Sequence, residues 1–169
     1  SVAGVPVAPH AALLSADDAD SLDASLFPAI LKTARMGYDG KGQAVVADKN
    51  EAREAFAAMG GKFCILEKRL ALANEVSVIV CRSLKGETVT FPVCENHHRH
   101  GILAQTVIPA RVPDAVAAQA RKYAAVIADA LQYQGVLCIE FFVLADGSIV
   151  ANEMAPRPHN SGHFSLEAC

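Results

Sequence analysis

The dipeptide Asp146-Gly147 sits between two runs rich in β-branched and aromatic residues, "GVLCIEFFVLA" from Gly135 to Ala145 and "SIVANEM" from Ser148 to Met154. Asp-Gly between such runs is the strongest short-range hairpin signal, and a two-residue loop places Ala145 opposite Ser148. Counting outward from that pair sets Glu140 directly opposite Glu153 on one face of the ribbon, with Cβ atoms about 5 Å apart. Two carboxylates so placed repel. Burying either beside Phe141, Phe142 and Val143 adds a desolvation cost, so one pKa rises unless something positive lies between them. A hard divalent cation such as Mg2+ is the simplest remedy, because it takes a few carboxylate oxygens and completes its shell with phosphate or water. The structural alternative is a solvent-facing pair or one bridged by a lysine, and a bulge or longer loop would break the register.

The rest of the chain bounds what such a pair could serve. With 169 residues, 52% hydrophobic and 20% charged, the composition is that of a globular protein with one core or two small lobes. A formal net charge of −3 and no basic stripe give no general attraction to nucleic acid or anionic lipid, so any phosphate binding must be local. The apolar run from Gly135 to Ala145 is too short to span a bilayer and is interrupted by Glu140, so it reads as a buried strand and no membrane partner is expected. The five cysteines, Cys64, Cys81, Cys94, Cys138 and Cys169, lack CxxC spacing; four lie in apolar segments, which fits a reducing cytoplasm. The opening "SVAGVPVAPH" has neither an initiator methionine nor a signal-peptide pattern, which reads as a piece of a longer chain.

Periodicity gives an α+β order. The acidic "SADDADSLDAS" reads as a solvated turn or short helix, "PAILKT" and "QAVVAD" as a hairpin with a long tip, and "DKNEAREAFAAMGG" as a helix. In that helix Asp48 and Glu51 can form a capping box, Ala52, Ala55, Phe56 and Met59 share a face, and Gly60 and Gly61 stop it. "KFCILEK" is a strand, and "EVSVIVCRS" pairs with "ETVTFPVC" around an "LKG" turn. A longer helix follows Pro113, with Val116, Ala120, Tyr123, Ile127 and Ala130 as its stripe, and ends before Gly135. Largely antiparallel sheets backed by segregated helices are the expected architecture.

Four further stretches carry candidate chemistry. "GYDGKGQ", Gly37 to Gln43, fits neither the Walker A spacing nor a full GxGxxG, and a glycine-rich hairpin tip serves equally as a plain turn. Lys32, just upstream on an apolar strand, could meet a phosphate as a point charge while bare backbone N–H groups hold neighbouring oxygens. Glu67 at the end of one strand and Glu75 at the start of the next are either solvated strand ends or acceptors for a nucleotide's amino and ribose groups. "CENHHRHG" places Cys94, His97, His98 and His100 together without a second zinc-type ligand pair, so a polar loop reaching an anion is the favoured reading. In "APRPHNSGH", two prolines stiffen a loop in which Arg157, His159, Asn160, Ser161 and His163 offer donors, which suits anion recognition or a well-bonded structural loop.

Taken together, "LKTARMGYDGKGQ", "EKRLALANEVSVIV", "ENHHRHGIL", "GVLCIEFFV" and "NEMAPRPHNSGH" resemble the ATP-grasp carboxylases, specifically the N5-carboxyaminoimidazole ribonucleotide synthases of purine biosynthesis, in order and spacing over nearly the whole chain. The resemblance implies an ATP-grasp fold of two lobes with the nucleotide between them, residues 1–70 forming a lead segment and the small lobe and residues 71–169 a truncated large lobe. It further implies that the family's N-terminal α/β domain and C-terminal segment lie outside this stretch, and that the fragment alone does not complete a turnover. By resemblance, Lys32 contacts the nucleotide phosphates beneath a flap of Gly37, Tyr38, Asp39, Gly40, Lys41, Gly42 and Gln43. Glu67, Lys68, Arg69 and Leu70 form the adenine hinge, Glu75 accepts from the ribose, and His98 lies near the nucleotide. Asn152 and Glu153 complete the site, Glu140 and Glu153 hold Mg2+ (or Mn2+), and Arg157, His159 and Asn160 face bicarbonate and the carboxyphosphate intermediate. The implied substrates are ATP, bicarbonate and 5-aminoimidazole ribonucleotide, the implied assembly a cytoplasmic homodimer. A formate-using glycinamide ribonucleotide transformylase is another ATP-grasp ligase sharing the fold and the two metal glutamates, but its loop typically reads Arg-x-His-Asp-Thr-Gly where this chain has Arg157-Pro158-His159-Asn160-Ser161-Gly162. A non-catalytic nucleotide-binding fragment is the alternative from another class.

Overall fold

The computed structural model describes residues 3–35, 42–99, 101–157 and 159–168, the side chains of Glu167 and Ala168 excepted. The chain forms two compact units, one of residues 8–70 with 100–102, the other of residues 1–7, 71–99 and 103–169.

The first unit is built on a four-stranded sheet in the order β1-β4-β2-β3, from β1 (His10–Leu13), β2 (Ala29–Thr33), β3 (Gln43–Val46) and β4 (Cys64–Lys68). Every pairing is antiparallel, with Lys32 opposite Gln43 at the loop end of the expected hairpin. Strand β1 had no signal of its own: "HAAL" has little β-branched character and owes its conformation to pairing with β4. The acidic stretch forms two short 3-10 turns, Ala16–Ser21 and Ala24–Leu26.

Helix α1 (Lys49–Ala58) lies where its caps predict. Asp48 accepts hydrogen bonds from the Asn50 and Glu51 N–H groups, while Glu51 reaches back to the Ala47 N–H at 2.8 Å, one residue beyond a regular capping box. Ala52 and Phe56 are buried against Leu13, Leu31, Val46 and Leu66, forming the core of this unit.

The second unit carries a six-stranded antiparallel sheet from β5 (Leu72–Arg82), β6 (Thr88–Thr90), β7 (Cys94–Arg99), β8 (Ile102–Val107), β9 (Gly135–Leu144) and β10 (Ile149–Ala155). The order is β10-β9-β5-β7-β8, with β6 also pairing with β5. Two expectations change here. The connector "KRLALAN" shrinks because β4 runs to Lys68 and β5 starts at Leu72, so Glu67 and Glu75 lie within strands rather than at their ends. The histidine stretch is a strand, β7, and not a loop; alternation turns Cys94, Asn96 and His98 to one face and Glu95 and His97 to the other.

Helix α2 (Asp114–Ala130) covers one face of this sheet. Its most buried row is Val116, Ala120, Ala124 and Ala128, a strict i, i+4 line rather than the expected stripe through Tyr123 and Ile127, which are only partly buried. Those small alanines pack on Val76, Val78 and Val80 of β5 and Leu137, Ile139, Phe141 and Val143 of β9. On the opposite face Ile79, Cys138 and Ala155 pack with Phe91 and Phe164. After β10 come a 3-10 turn, Asn160–Gly162, and a short helix α3 (Ser165–Ala168).

Candidate functional site

Ile139 and Phe141 commit one face of β9 to the α2 core, so the residue between them, Glu140, must point to the uncovered face. The turn that aligns its partner is not the expected one. Leu144 N–H donates to Ser148 O and Gly147 N–H to Leu144 O, both at 2.9 Å, which closes a three-residue loop of Ala145, Asp146 and Gly147. Gly147 takes the left-handed conformation at φ 81° that such a loop requires at its last position. The ladder therefore starts one residue out of the expected register, with Ile149 opposite Val143 and Ala151 opposite Phe141. A bulge at Asn152 then absorbs one residue, and Glu153 stands opposite Glu140. The carboxylate pair is present, but through two irregularities that cancel.

The same face gathers polar side chains from neighbouring strands. Ser77 of β5 lies opposite Glu140, with Cys94 of β7 opposite Ser77. Two residues along, Glu75 Oε2 meets His98 Nδ1 at 3.1 Å, and Glu75, with burial opposing it, raises the His98 pKa. From the far side His159 Nδ1 comes within 3.8 Å of Glu140 Oε1, both side chains about nine-tenths buried at 10% and 12% exposure. Burial pushes the Glu140 carboxyl up to about 7, with Glu153 and Glu75 adding to the rise and His98 opposing it. Burial lowers the His159 pKa, opposed by Glu153.

Among the described residues no cluster of three or more His, Cys, Asp and Glu forms a metal cage. The donors nevertheless fit a divalent cation of the magnesium kind. Such an ion needs one or two protein carboxylates and leaves its other positions to phosphate or water, and a buried carboxyl displaced to about 7 beside two further glutamates lacks positive charge.

Arg157, His159 and Asn160 follow β10 directly, on and before the 3-10 turn. Two buried polar residues on the site face, Ser77 and Asn96, had no sequence reading. Asn96 Nδ2 is buried with no hydrogen-bond partner among the described residues, while its Oδ1 accepts from Thr106 at 3.4 Å. Their signal was available in the alternation that links them to Glu75 and His98.

In the first unit Lys32 Nζ donates to Glu67 Oε2 at 2.6 Å, joining two of the candidate residues across adjacent strands. The backbone N–H groups of Lys68 and Arg69 are committed to Pro9 O and Pro28 O at 2.8 and 2.9 Å, so the candidate stretch from Glu67 to Leu70 has these two donors already in use. Gly42 sits at φ 75° and its carbonyl accepts from Thr33 N–H, with Gln43 beginning β3. Gly37, Tyr38, Asp39, Gly40 and Lys41 of the candidate flap lie outside the described residues.

A family profile for the ATP-grasp domain matches residues 1–169. An N5-carboxyaminoimidazole ribonucleotide synthase from Bacillus subtilis (strain 168) is 43% identical over 168 residues, which is 99% of this chain and 44% of the relative. One of the same description from Brucella melitensis biotype 1 is 46% identical over 159 residues, 90% of this chain and 44% of the relative. The crystal structure of an ADP complex of an N5-carboxyaminoimidazole ribonucleotide synthetase superposes with a TM-score of 0.91 at 45% identity, over 99% of this chain and 45% of that one. The chain thus spans less than half the length of the relatives it matches. A profile match across every residue, together with this likeness in fold, makes the chain a member of the ATP-grasp domain family.

Proposed function

We propose that this chain is the nucleotide-handling part of an N5-carboxyaminoimidazole ribonucleotide synthase, an ATP-dependent carbon–nitrogen ligase of purine biosynthesis. The observation that carries the reading is the match at 43% identity to a synthase of that name over 99% of the chain. In the proposed reaction a bicarbonate oxygen attacks the γ-phosphorus of ATP, ADP leaves, and the resulting carboxyphosphate breaks down to inorganic phosphate and CO2, which the amine of 5-aminoimidazole ribonucleotide captures with loss of a proton. Most of the protein's task is then positioning and charge neutralisation in a water-poor site.

Lys32 would exchange its Glu67 partner for a nucleotide phosphate, and Gly37 to Gln43 would close over those phosphates. Glu67 to Leu70 would read adenine, Glu75 the ribose, and His98 would be held by Glu75 beside the nucleotide. Glu140 and Glu153, with Asn152 next to them, would hold Mg2+ or Mn2+; the bound cation supplies neutralisation of phosphate charge during transfer. Arg157, His159 and Asn160 would orient bicarbonate and shield the labile intermediate from water. A cytoplasmic, homodimeric parent protein belongs to the same reading.

The test is substrate dependence in the protein that carries this chain. ADP release should rise when bicarbonate and 5-aminoimidazole ribonucleotide are supplied together, and should not respond to formate with glycinamide ribonucleotide. The reverse pattern would overturn the assignment.

A further inference from the structure

His159 Nδ1 lies 3.8 Å from Glu140 Oε1, beyond hydrogen-bond reach, and the group within that reach is Ser161. The Ser161 N–H points at His159 Nδ1 at 3.4 Å and its hydroxyl oxygen lies 3.0 Å from the same nitrogen. Ser161 is itself 1% exposed, with its hydroxyl also 3.5 Å from the Cys138 thiol and its N–H shared with Asn160 Oδ1 at 2.9 Å. The turn that carries it is pressed onto the sheet. A Cβ at Gly162 would stand 2.5 Å from Ile79 Cδ1, so any other residue there would force the end of the buried Ile79 side chain to move. Gly162 N–H to His159 O and Ser165 Oγ to Gly162 O, at 2.9 and 2.8 Å, fix both ends of the turn.

A backbone N–H can only donate, so the nitrogen it faces must keep its lone pair. A neutral imidazole has one proton to place, and with Nδ1 occupied as an acceptor that proton sits on Nε2. We propose that Ser161 is a positioning residue for His159: its N–H, directed at Nδ1, with its hydroxyl within hydrogen-bond reach of the same nitrogen, holds the ring as the Nε2–H tautomer, so that His159 offers an oxyanionic ligand a hydrogen-bond donor. This deepens the reading of the Arg157–Asn160 loop as the bicarbonate and carboxyphosphate side of the site, and rests on that reading only for the identity of the oxyanion. A ring free to switch tautomer would present a lone pair to the same oxygen part of the time and repel it. The cost of the wrong tautomer in such sites is a loss of rate without a loss of fold.

The experiment is long-range 1H–15N correlation on chain labelled in its histidine nitrogens, recorded at about pH 8, above the ordinary histidine range. The His159 signals, assigned with His159→Gln, should show an acceptor-type Nδ1 and a protonated Nε2 in the wild type and in Ser161→Thr, which keeps the hydroxyl. In Ser161→Ala, which keeps the N–H and loses only the hydroxyl, the signals should shift measurably toward the Nδ1–H tautomer while Nε2–H stays the major form, with thermal melting serving to confirm that the variant is folded. A wild-type ring protonated on Nδ1, or signals unchanged in a folded Ser161→Ala, would overturn the proposal. ADP binding measured on the same samples keeps the two readings apart, since loss of nucleotide affinity with the Nε2–H tautomer intact would count against the function and not against the role of Ser161.

Discussion

At the scale of single residues, Gly162 and Glu140 show two ways in which this chain fixes its site. Gly162 acts through space: at 2.5 Å from Ile79 Cδ1, a methyl group there would displace the end of that buried side chain. Gly162→Ala is expected to lower the stability by about 1–3 kcal/mol, read from the denaturant midpoint, because the turn must lift or Ile79 must leave its rotamer. Adding Ile79→Val removes the clashing carbon and should restore most of the loss, and strict additivity of the two substitutions would mean that the contact is not made. Glu140 acts through charge. Its burial beside Glu153 leaves a carboxyl displaced to about 7, an arrangement that costs stability in a bare protein and becomes favourable when a cation sits among the oxygens. Strand alternation made Glu140 legible, because it is the one charged residue in an apolar run. Ser161 was legible only as one polar residue among five in a loop, since nothing in "NSG" announces which of them faces inward.

At the scale of elements, the hairpin and the histidine strand show where sequence patterns hold and where they mislead. Asp146-Gly147 located the β9–β10 turn, but the residue pair alone does not separate a two-residue loop from a three-residue loop whose final glycine is left-handed. Asn152 carried no mark of a bulge, so the opposition of Glu140 and Glu153 came out through compensating errors in the expected register. The stretch from Cys94 to Arg99 reads as polar and therefore as a loop, yet its polar residues have partners on both faces. Asn96 and His98 join the site face, while Glu95 accepts from Arg111 N, Nε and Nη2 at 2.9, 3.1 and 2.8 Å on the other. Tertiary partners outweighed local propensity there.

The Glu95 group gives a pH prediction whose sign is fixed. Hydrogen bonds and charge from Arg111 lower the Glu95 pKa to about 2, against an ordinary value of 4.5, with burial opposing them. A depressed carboxylate stabilises the folded state above its unfolded pKa, and that contribution fades as the pH falls from 4.5 toward about 2. Arg111→Ala should lower the stability near neutral pH and flatten the acid limb of the stability curve across that window. Parallel acid limbs for wild type and variant, measured by urea unfolding at several pH values, would contradict the assignment.

At the scale of the whole molecule, each unit has its own core, one organised by Phe56 of α1 and the other by the alanine row of α2 on β5 and β9. The alternating strands and both longer helices were readable from apolar period alone, because burial on one face dictates it. Strands β1 and β8 were not, since they are held by pairing with stronger neighbours rather than by a pattern of their own. No described helix is long and apolar enough to cross a membrane, and the net charge of −3 places any affinity for phosphate in local groups such as Lys32 and the cation proposed for Glu140 and Glu153. The central claim is therefore that nucleotide binding by this chain depends on those carboxylates and on a divalent cation. Calorimetric titration of ADP with and without Mg2+, into wild type and Glu140→Gln, tests it most directly. The account predicts binding in the wild type that weakens at least about tenfold when Mg2+ is withheld, and a Glu140→Gln variant that binds ADP weakly and equally in both conditions. Wild-type binding indifferent to Mg2+, or a variant that keeps the full metal dependence, would contradict it.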